Sequence, residues 1–568
     1  MNVDFLNQAV AKFLSGVVAL PADELAGMIE IPAHANQGDR SFPCFRFSKE
    51  RKTSPQKLAQ EWFDALSSTP LPEEIERIEV LSGYINFFAK TPVLAKRVLG
   101  DIRAGQYGFV TREKPPIAIV EYSSPNIAKP FSIAHIRSTN IGACLSRIFA
   151  ARGWKVVRIN HLGDWGTQFG KLMSAYRRWG SAEDLDERPM NALFKLYVKY
   201  HEEEKSDPTL IDEAREWFSK LEKGDTDAKE LWDWFRKLTM KELERLYAML
   251  GVEFDHYWGE SFYVHLLPKL MDDLYRLGLP KESEDAIIVD LEDHGLHKAL
   301  LKKKDESSLY ITRDLAAAIY REQHLHFDLM LYVVGNQQQL HFQQLFKILE
   351  LMGFGWVKKC EHIQFGHVSF GDQSMSTRKG NVVFLSDVID KAVELARKIV
   401  EEKNPTLENK DQVALDVALG AVFFADISAR RTKDVKFAWE DILNFEGETG
   451  PYLQYSLVRM QSLLEKYGQA TVASFDEARL SAKEEGDLIR GLSQFPMVLE
   501  KAEREREPMV VAQYLIEISR QFNRFYSNQR VLDGDAAIRD ARMVLVEVTA
   551  SVLSSGLSLL GIPRPKKM

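Results

Sequence analysis

Ile117-Ala118-Ile119-Val120 is an apolar run that ends in a carboxylate, Glu121, and gives way to the polar turn Ser123-Ser124-Pro125-Asn126. Beyond Pro130, Ile133, Ile136 and Ile141 recur near the 3.6-residue period of a helix. A buried strand that passes through a polar turn into a helix places the turn at the carboxyl end of the strand. Open α/β sheets bind ligands there. The free N–H groups at the helix start favour phosphate, and Lys129, Ser132, His135 and Arg137 crowd that start.

The same alternation continues downstream. Lys155 to Ile159 reads as a second strand, closed by the Gly-rich turn Asn160-His161-Leu162-Gly163-Asp164-Trp165-Gly166 before another helix. Asp164 in that turn either caps a helix or, with His161, serves a site. Met190 to Leu250 is helical and heavily charged, an inserted segment whose charge runs read as solvated faces. Ala286 to Val289 is a predicted strand, as is Leu309 to Asp314, which precedes an Ala-rich helix. Leu329 to Val334 is another, ending at Gly335-Asn336-Gln337-Gln338-Gln339, and a helix with His341 and Gln344 follows. The pattern predicts an α/β domain with a doubly wound parallel sheet over residues 113–400. G-x-G-x-x-G and G-x-x-x-x-G-K-[ST] are both missing, which weighs against an NAD fingerprint or a P-loop.

Residues 1–112 read as a smaller α/β domain: helices at Phe5–Leu14, Pro55–Leu66 and Val93–Arg103, a strand at Arg40–Phe47, and a hairpin of Ile78–Leu81 and Tyr84–Phe88 around Ser82-Gly83. Lys114-Pro115-Pro116 reads as a linker. After a helical connecting segment, 401–452, the pattern is helical to the end, with periodic stretches at Asp411–Arg431, Leu453–Tyr467, Ala482–Arg504, Val510–Tyr526 and Asp540–Leu560. Residues 453–568 are therefore expected to form an all-α bundle.

Composition narrows the class without naming a ligand. Hydrophobic residues make up 45% and charged residues 27%, ordinary for a globular chain. Its 568 residues suggest roughly three or four domains. No apolar run is seen to approach the ~20 residues of a membrane span. The start, Met1-Asn2-Val3-Asp4, lacks the basic region of a signal peptide, so a cytoplasmic protein is expected. Cys44, Cys144 and Cys360 are far apart and form no zinc spacing, which predicts reduced thiols and no protein-held metal. The net charge of −8 means that a polyanion would have to meet a local basic surface.

Late in the α/β domain Ser374-Met375-Ser376-Thr377-Arg378-Lys379-Gly380 is a polar, basic loop with a modest phosphate-loop character. Taken with the first stretch it carries a resemblance. SSPNIAKPF and H-I-R-S-T resemble the arginyl-tRNA synthetases, and Ser132-Ile133-Ala134-His135 occupies the positions of the class I signature H-x-G-H. M-S-T-R-K resembles the second signature, K-M-S-K-S, without its leading lysine. N-H-L-G-D-W-G, Y-I-T-R-D and the stretch from GPYLQYSLVR to LLGIPRP resemble the same family, so the likeness spans the chain. Two departures stand out: Ser132 replaces the first signature histidine and Ala134 the glycine.

The resemblance implies an ATP-dependent ligase that joins L-arginine to tRNA(Arg) through an arginyl-adenylate, with Mg²⁺ arriving on ATP. The alternatives are a class I synthetase for another amino acid and a tRNA-binding paralogue without catalysis. It implies phosphate chemistry at Lys129, Ser132, His135, Ser376, Thr377, Arg378 and Lys379, and ATP contacts at Pro130, Ala134, His135, His341, Met375, Ser376 and Arg378. An arginine pocket is implied at Glu121, Asn126, Glu260, Tyr310, Asp314 and Gln338. A planar five-donor guanidinium needs carboxylates and a flat aromatic wall, which Asp314, Glu260 and Tyr310 offer. The N-terminal domain and the bundle are implied to bind tRNA, through Asn86 and Phe88 and through Tyr452, Tyr455 and Tyr526. A monomer with no membrane partner is expected.

Overall fold

The computed structural model describes residues 5–32, 37–127, 129, 131–181, 189–283, 286–303, 310–370 and 383–568, and it divides into two compact units. One unit comprises Thr111–Tyr452, Glu503–Ala512 and Ser558–Met568. At its centre is a four-stranded parallel sheet in the order Cys360–His362, Leu329–Tyr332, Ile117–Glu121, Lys155–Ile159. Ala118, Ile119 and Val120 are fully buried, as expected of a strand covered on both faces. From Ile117–Glu121 the chain passes to one neighbour, Lys155–Ile159, and later returns to the other, Leu329–Tyr332. The strand order therefore reverses beside Glu121, which makes the carboxyl end of that strand the switch point of the sheet.

The helix Ile133–Ala151 follows this strand, and Thr167–Trp179 follows the second. The inserted segment consists of three helices, Pro189–Glu203, Thr209–Glu222 and Thr226–Leu250. A small antiparallel sheet of Pro280–Ser283, Ala286–Val289 and Ala299–Lys303 comes next.

Several expectations are corrected. Tyr310–Asp314 is the first turn of the helix Tyr310–Leu325, not a strand. Its apparent alternation is overridden by the helical recurrence of Ile311, Leu315 and Ala318, all buried, in an Ala-rich run of high helix propensity. The strand at Arg40 stops at Pro43, which has no N–H to continue the ladder, and Phe45–Ser48 is a short helix. Ala482–Arg504 is two helices, Lys483–Ser493 and Phe495–Glu505, divided where Pro496 cannot continue the first. A short parallel pair, Val368–Phe370 with Val435–Phe437, was not expected. By length and composition Ala536–Leu559 is apolar enough to cross a membrane, with mean hydropathy 1.3. Its most apolar window is 72% buried inside the structure, as for a core helix.

The other unit combines Met1–Val110 with Leu453–Ala502 and Gln513–Leu557. Arg40–Pro43, Tyr84–Ala89 and Ile75–Leu81 form an antiparallel sheet. Its two-residue hairpin places Ser82 at φ 50° and Gly83 at φ 87°, the left-handed pair that a tight hairpin of this twist requires. The N-terminal segment packs on bundle helices. Arg490 Nε lies 2.9 Å from Asp39 Oδ1, and Arg103 Nη1 donates to Val472 O at 2.7 Å.

The division does not fall at residue 453 alone, because later segments return to the unit that holds the parallel sheet. Arg506 forms a two-bond ion pair with Glu361, at 3.1 and 2.9 Å, and Glu503 accepts from Arg152 and from Trp154. Near the C-terminus Ile562 is buried.

Candidate functional site

At the switch point the backbone is strained. Ser123 and Ser124 take φ 68° and 46°, at a cost of about 1–3 kcal/mol each for non-glycine residues. The signature helix supplies the support. Ser138 Oγ accepts from the Ser123 N–H at 2.9 Å and donates to Val333 O at 2.7 Å, so one hydroxyl spans both strand ends of the switch. Thr139 Oγ1 donates to Ser123 Oγ at 2.9 Å, and Ser123 Oγ lies 2.7 Å from the Tyr247 hydroxyl on an inserted helix. The turn also pairs with the second Gly-rich turn: Ile127 N–H donates to Gly163 O, and Gly163 N–H to Pro125 O. A Cβ on Gly163 would sit 3.2 Å from Asn126 Cα, so glycine permits this approach.

Glu121 is buried in an ion pair with Arg321, whose Nη2 also lies 3.2 Å from His161 Nδ1 and whose Nε donates to Tyr263 at 3.3 Å. Asp314 lies one helical turn from Tyr310. Its Oδ2 is 2.6 Å from His341 Nε2 and its Oδ1 3.3 Å from His161 Nε2. Burial opposes ionisation of Asp314, but the two histidine hydrogen bonds hold its carboxyl well below the usual range. Burial would lower the pKa of each histidine; the bond to Asp314 raises both instead. Glu260 Oε2 sits 3.1 Å from Arg313 Nε, and burial pushes its carboxyl up to about 7 despite that cation. Tyr310 is 55% exposed above this pair, with the Arg313 guanidinium 5.0 Å from its ring.

At the helix start, Ser132 N–H donates to His135 Nδ1 at 3.0 Å, and Ser132 Oγ lies 3.1 Å from the same nitrogen. That acceptor role leaves the proton on His135 Nε2. Burial, aided by the charge of Lys129, pulls the His135 pKa down to about 4, so the ring is neutral near pH 7. Lys129 lies 5.9 Å from the Tyr197 ring of an inserted helix, and Ala134 is exposed.

Pro130 and Met375, Ser376, Thr377, Arg378 and Lys379 fall outside the described residues. The chain that follows the second signature is fixed to the first: Ile133 N–H donates to Val383 O and Leu385 N–H to Phe131 O, both at 3.1 Å.

The remaining predicted positions are scattered. Gln338 is exposed in the turn Asn336–Gln338, and Asn126 holds its backbone bridge to Gly163. His341, expected at ATP, has its Nε2 2.6 Å from Asp314 Oδ2. Asp164 caps, but not the helix that follows it: it accepts from the Ser261 N–H and Oγ at 2.8 and 2.7 Å. Asn86 is buried against Ser41, and Phe88 is buried under Arg77. On the bundle Tyr455 and Tyr526 are each 39% exposed and flank the Arg459 guanidinium at 4.8 and 5.5 Å. Tyr452 is half-buried.

Sequence reasoning missed Arg321, Ser138 and Thr139. Arg321 had a readable signal, since Tyr310, Asp314 and Arg321 recur at helical spacing on one face of the helix Tyr310–Leu325.

A parallel sheet with its switch point beside the start of the helix Ile133–Ala151 goes with the catalytic domain of a class I aminoacyl-tRNA synthetase. The family model described as tRNA synthetases class I (R), catalytic domain, matches residues 101–439. The arginyl tRNA synthetase N terminal domain matches 4–89, and the DALR anticodon binding domain 453–568. The chain is 45% identical to the arginine–tRNA ligase of Alkaliphilus metalliredigens, over 96% of each chain. It is 43% identical to that of Halothermothrix orenii, over 100% of each. The solved arginyl-tRNA synthetase of Thermus thermophilus superposes with a TM-score of 0.84 at 26% identity, over 100% of both chains. The chain belongs to the arginyl-tRNA synthetase family.

Proposed function

We propose that the protein attaches L-arginine to tRNA(Arg) with ATP, through an arginyl-adenylate and release of pyrophosphate. The observation that carries this reading is Asp314: a partly exposed carboxylate held ionised by two histidines, one turn from an exposed aromatic ring and joined through His161 and Arg321 to Glu121 at the switch point of the sheet. A guanidinium suits that setting, because planar charge-assisted pairing satisfies the carboxylate while the ring covers a flat face.

In this reading Asp314 and Glu260 take the guanidinium and Tyr310 walls it. Asn126 and Gln338 hold the α-ammonium and carboxyl groups, and Glu121, already paired with Arg321, sets the charge beneath them. His161 and His341 orient the Asp314 carboxylate. Adenylation needs in-line positioning and charge stabilisation, not a covalent nucleophile. Neutral His135 donates Nε2–H to a phosphate oxygen, and Lys129 with residues 376–379 supplies positive charge. Mg²⁺ comes with ATP as part of the substrate, held by phosphate and water. Exposed Tyr455 and Tyr526 stack on unpaired tRNA bases. The protein acts as a cytoplasmic monomer.

Charging of total tRNA with labelled arginine, by wild type and by Asp314→Asn, tests the assignment. Loss of arginine charging in the variant, with ATP affinity retained, supports it; equal charging by both removes Asp314 from the pocket.

A further inference from the structure

Arg137 stands two residues beyond His135 on the signature helix, yet its side chain is fully buried. Its Nε lies 3.1 Å from Asp426 Oδ1, on the helix Lys410–Ile427. Asp426 is equally buried and accepts from Asn140 Nδ2 at 3.1 Å. Arg137 Nη1 donates to three carbonyls: Lys433 O at 2.5 Å, Gly366 O at 3.2 Å and His367 O at 3.4 Å. Those carbonyls belong to the two chains that run into the parallel pair Val368–Phe370 and Val435–Phe437. The chains are close-packed there. A Cβ on Gly366 would fall 2.6 Å from Lys433 backbone, and His367 N–H donates to Asp434 Oδ1 at 2.7 Å.

Val368–Phe370 is the strand that immediately precedes the stretch containing Met375–Lys379. The chain leaving that stretch is held to the signature helix by backbone bonds at Phe131 and Ile133. The chain approaching it is held to the same helix by the Arg137 guanidinium. Stability alone is a weak reason for such a group. A buried ion pair is often replaceable by apolar residues at no loss, and Arg137 Nη2 has no hydrogen-bond partner among the described residues. The guanidinium does what an apolar side chain cannot: its Nη1 alone reaches carbonyls of both chains and fixes them to one helix at defined distances.

We infer that Arg137 is a positioning residue for ATP, setting the helix that carries Ser132 and His135 against the parallel pair Val368–Phe370 and Val435–Phe437. It touches no substrate itself. The inference rests on the proposed adenylation chemistry, but direct ATP binding reads it whichever amino acid is activated.

The test uses the full chain and two variants. Arg137→Lys keeps the charge but replaces the fork with one ammonium, which cannot meet Asp426 and three carbonyls together. The double variant Arg137→Met with Asp426→Asn removes both charges and so guards against a misfolded single mutant. For each, the ATP dissociation constant is measured by equilibrium titration. The KM values for ATP and arginine are measured in aminoacylation, and the midpoint of thermal unfolding is followed. Both variants are expected to weaken ATP binding and raise the ATP KM by about tenfold or more, the scale of misplacing a reactive group by a fraction of an ångström. The arginine KM should stay within about twofold, because Asp314, Tyr310 and Glu260 lie on other elements. Unchanged ATP affinity in a folded variant, or equal loss for ATP and arginine, would overturn the inference and leave Arg137 a packing residue. Failure of the wild type to charge arginine, with the ATP defect present in the variants, would instead sink the amino-acid assignment alone.

Discussion

Replacing Asp314 by Asn changes one oxygen to an amide nitrogen at almost constant volume, so the consequence can be worked from its partners. The carboxylate accepts from His341 at 2.6 Å and lies 3.3 Å from His161, and those bonds hold it ionised. Asn offers one acceptor where Asp offers two, so one histidine N–H must face an NH₂ or turn away. A substrate guanidinium then loses a charge-assisted pair worth about 1.5–3 kcal/mol, which is roughly ten- to a hundred-fold in arginine KM. Nothing in the change touches Ser132, His135 or Lys129, so the ATP KM should move by about twofold at most. Folding should suffer less than binding, because the substitution also removes a partly buried charge. The assay is steady-state aminoacylation with each substrate varied in turn and tRNA saturating. An arginine KM within about twofold of wild type, or an equal rise in both KM values, would refute the reasoning that Asp314 selects the guanidinium.

Lys129→Ala should slow adenylation far more than Ser132→Ala, since one removes a cation and the other a neutral hydroxyl that already faces His135; single-turnover rates decide, and silence of both would displace the phosphate site. Glu260, with its carboxyl raised to about 7, favours the protonated form in the folded protein, so it contributes stability that is lost as pH rises from its ordinary range through 7. Arginine binding needs the ionised form, so arginine KM should fall over the same rise; Glu260→Gln should flatten both profiles, and an unaltered KM profile in the variant would exclude Glu260. Gly142→Ala places a Cβ 2.2 Å from Tyr122 Cβ and should destabilise the chain by about 1–3 kcal/mol despite alanine's better helix propensity, read by urea unfolding.

Legibility in the sequence followed the range of the interactions. Ile117–Glu121 and its helix were readable because local periodicity fixes both, and the hairpin at Ser82-Gly83 because two left-handed residues declare themselves. Tyr310–Asp314 looked like a strand because five residues alternate by chance; the Ala-rich continuation settles the period, and both side chains still end on one face. Arg321 beneath Glu121 and Ser138 beneath Val333 were hidden because their partners are 200 and 195 residues away. Val368–Phe370 and Val435–Phe437 were hidden because three residues carry too little pattern to register as strands. The boundary at 453 was only half readable. Helical periodicity marks where the bundle begins, but nothing local announces that Glu503–Ala512 and Ser558–Met568 return to the catalytic unit.

The central claim is that this pocket selects arginine for transfer to tRNA. Charging of total tRNA with each of the labelled proteinogenic amino acids in separate reactions, with ATP and Mg²⁺ supplied, tests it most directly. The account predicts ATP-dependent acid-labile charging with arginine alone, lost in Asp314→Asn. Charging with another amino acid at a comparable rate, or none with arginine by a protein that binds both ATP and tRNA, would contradict it.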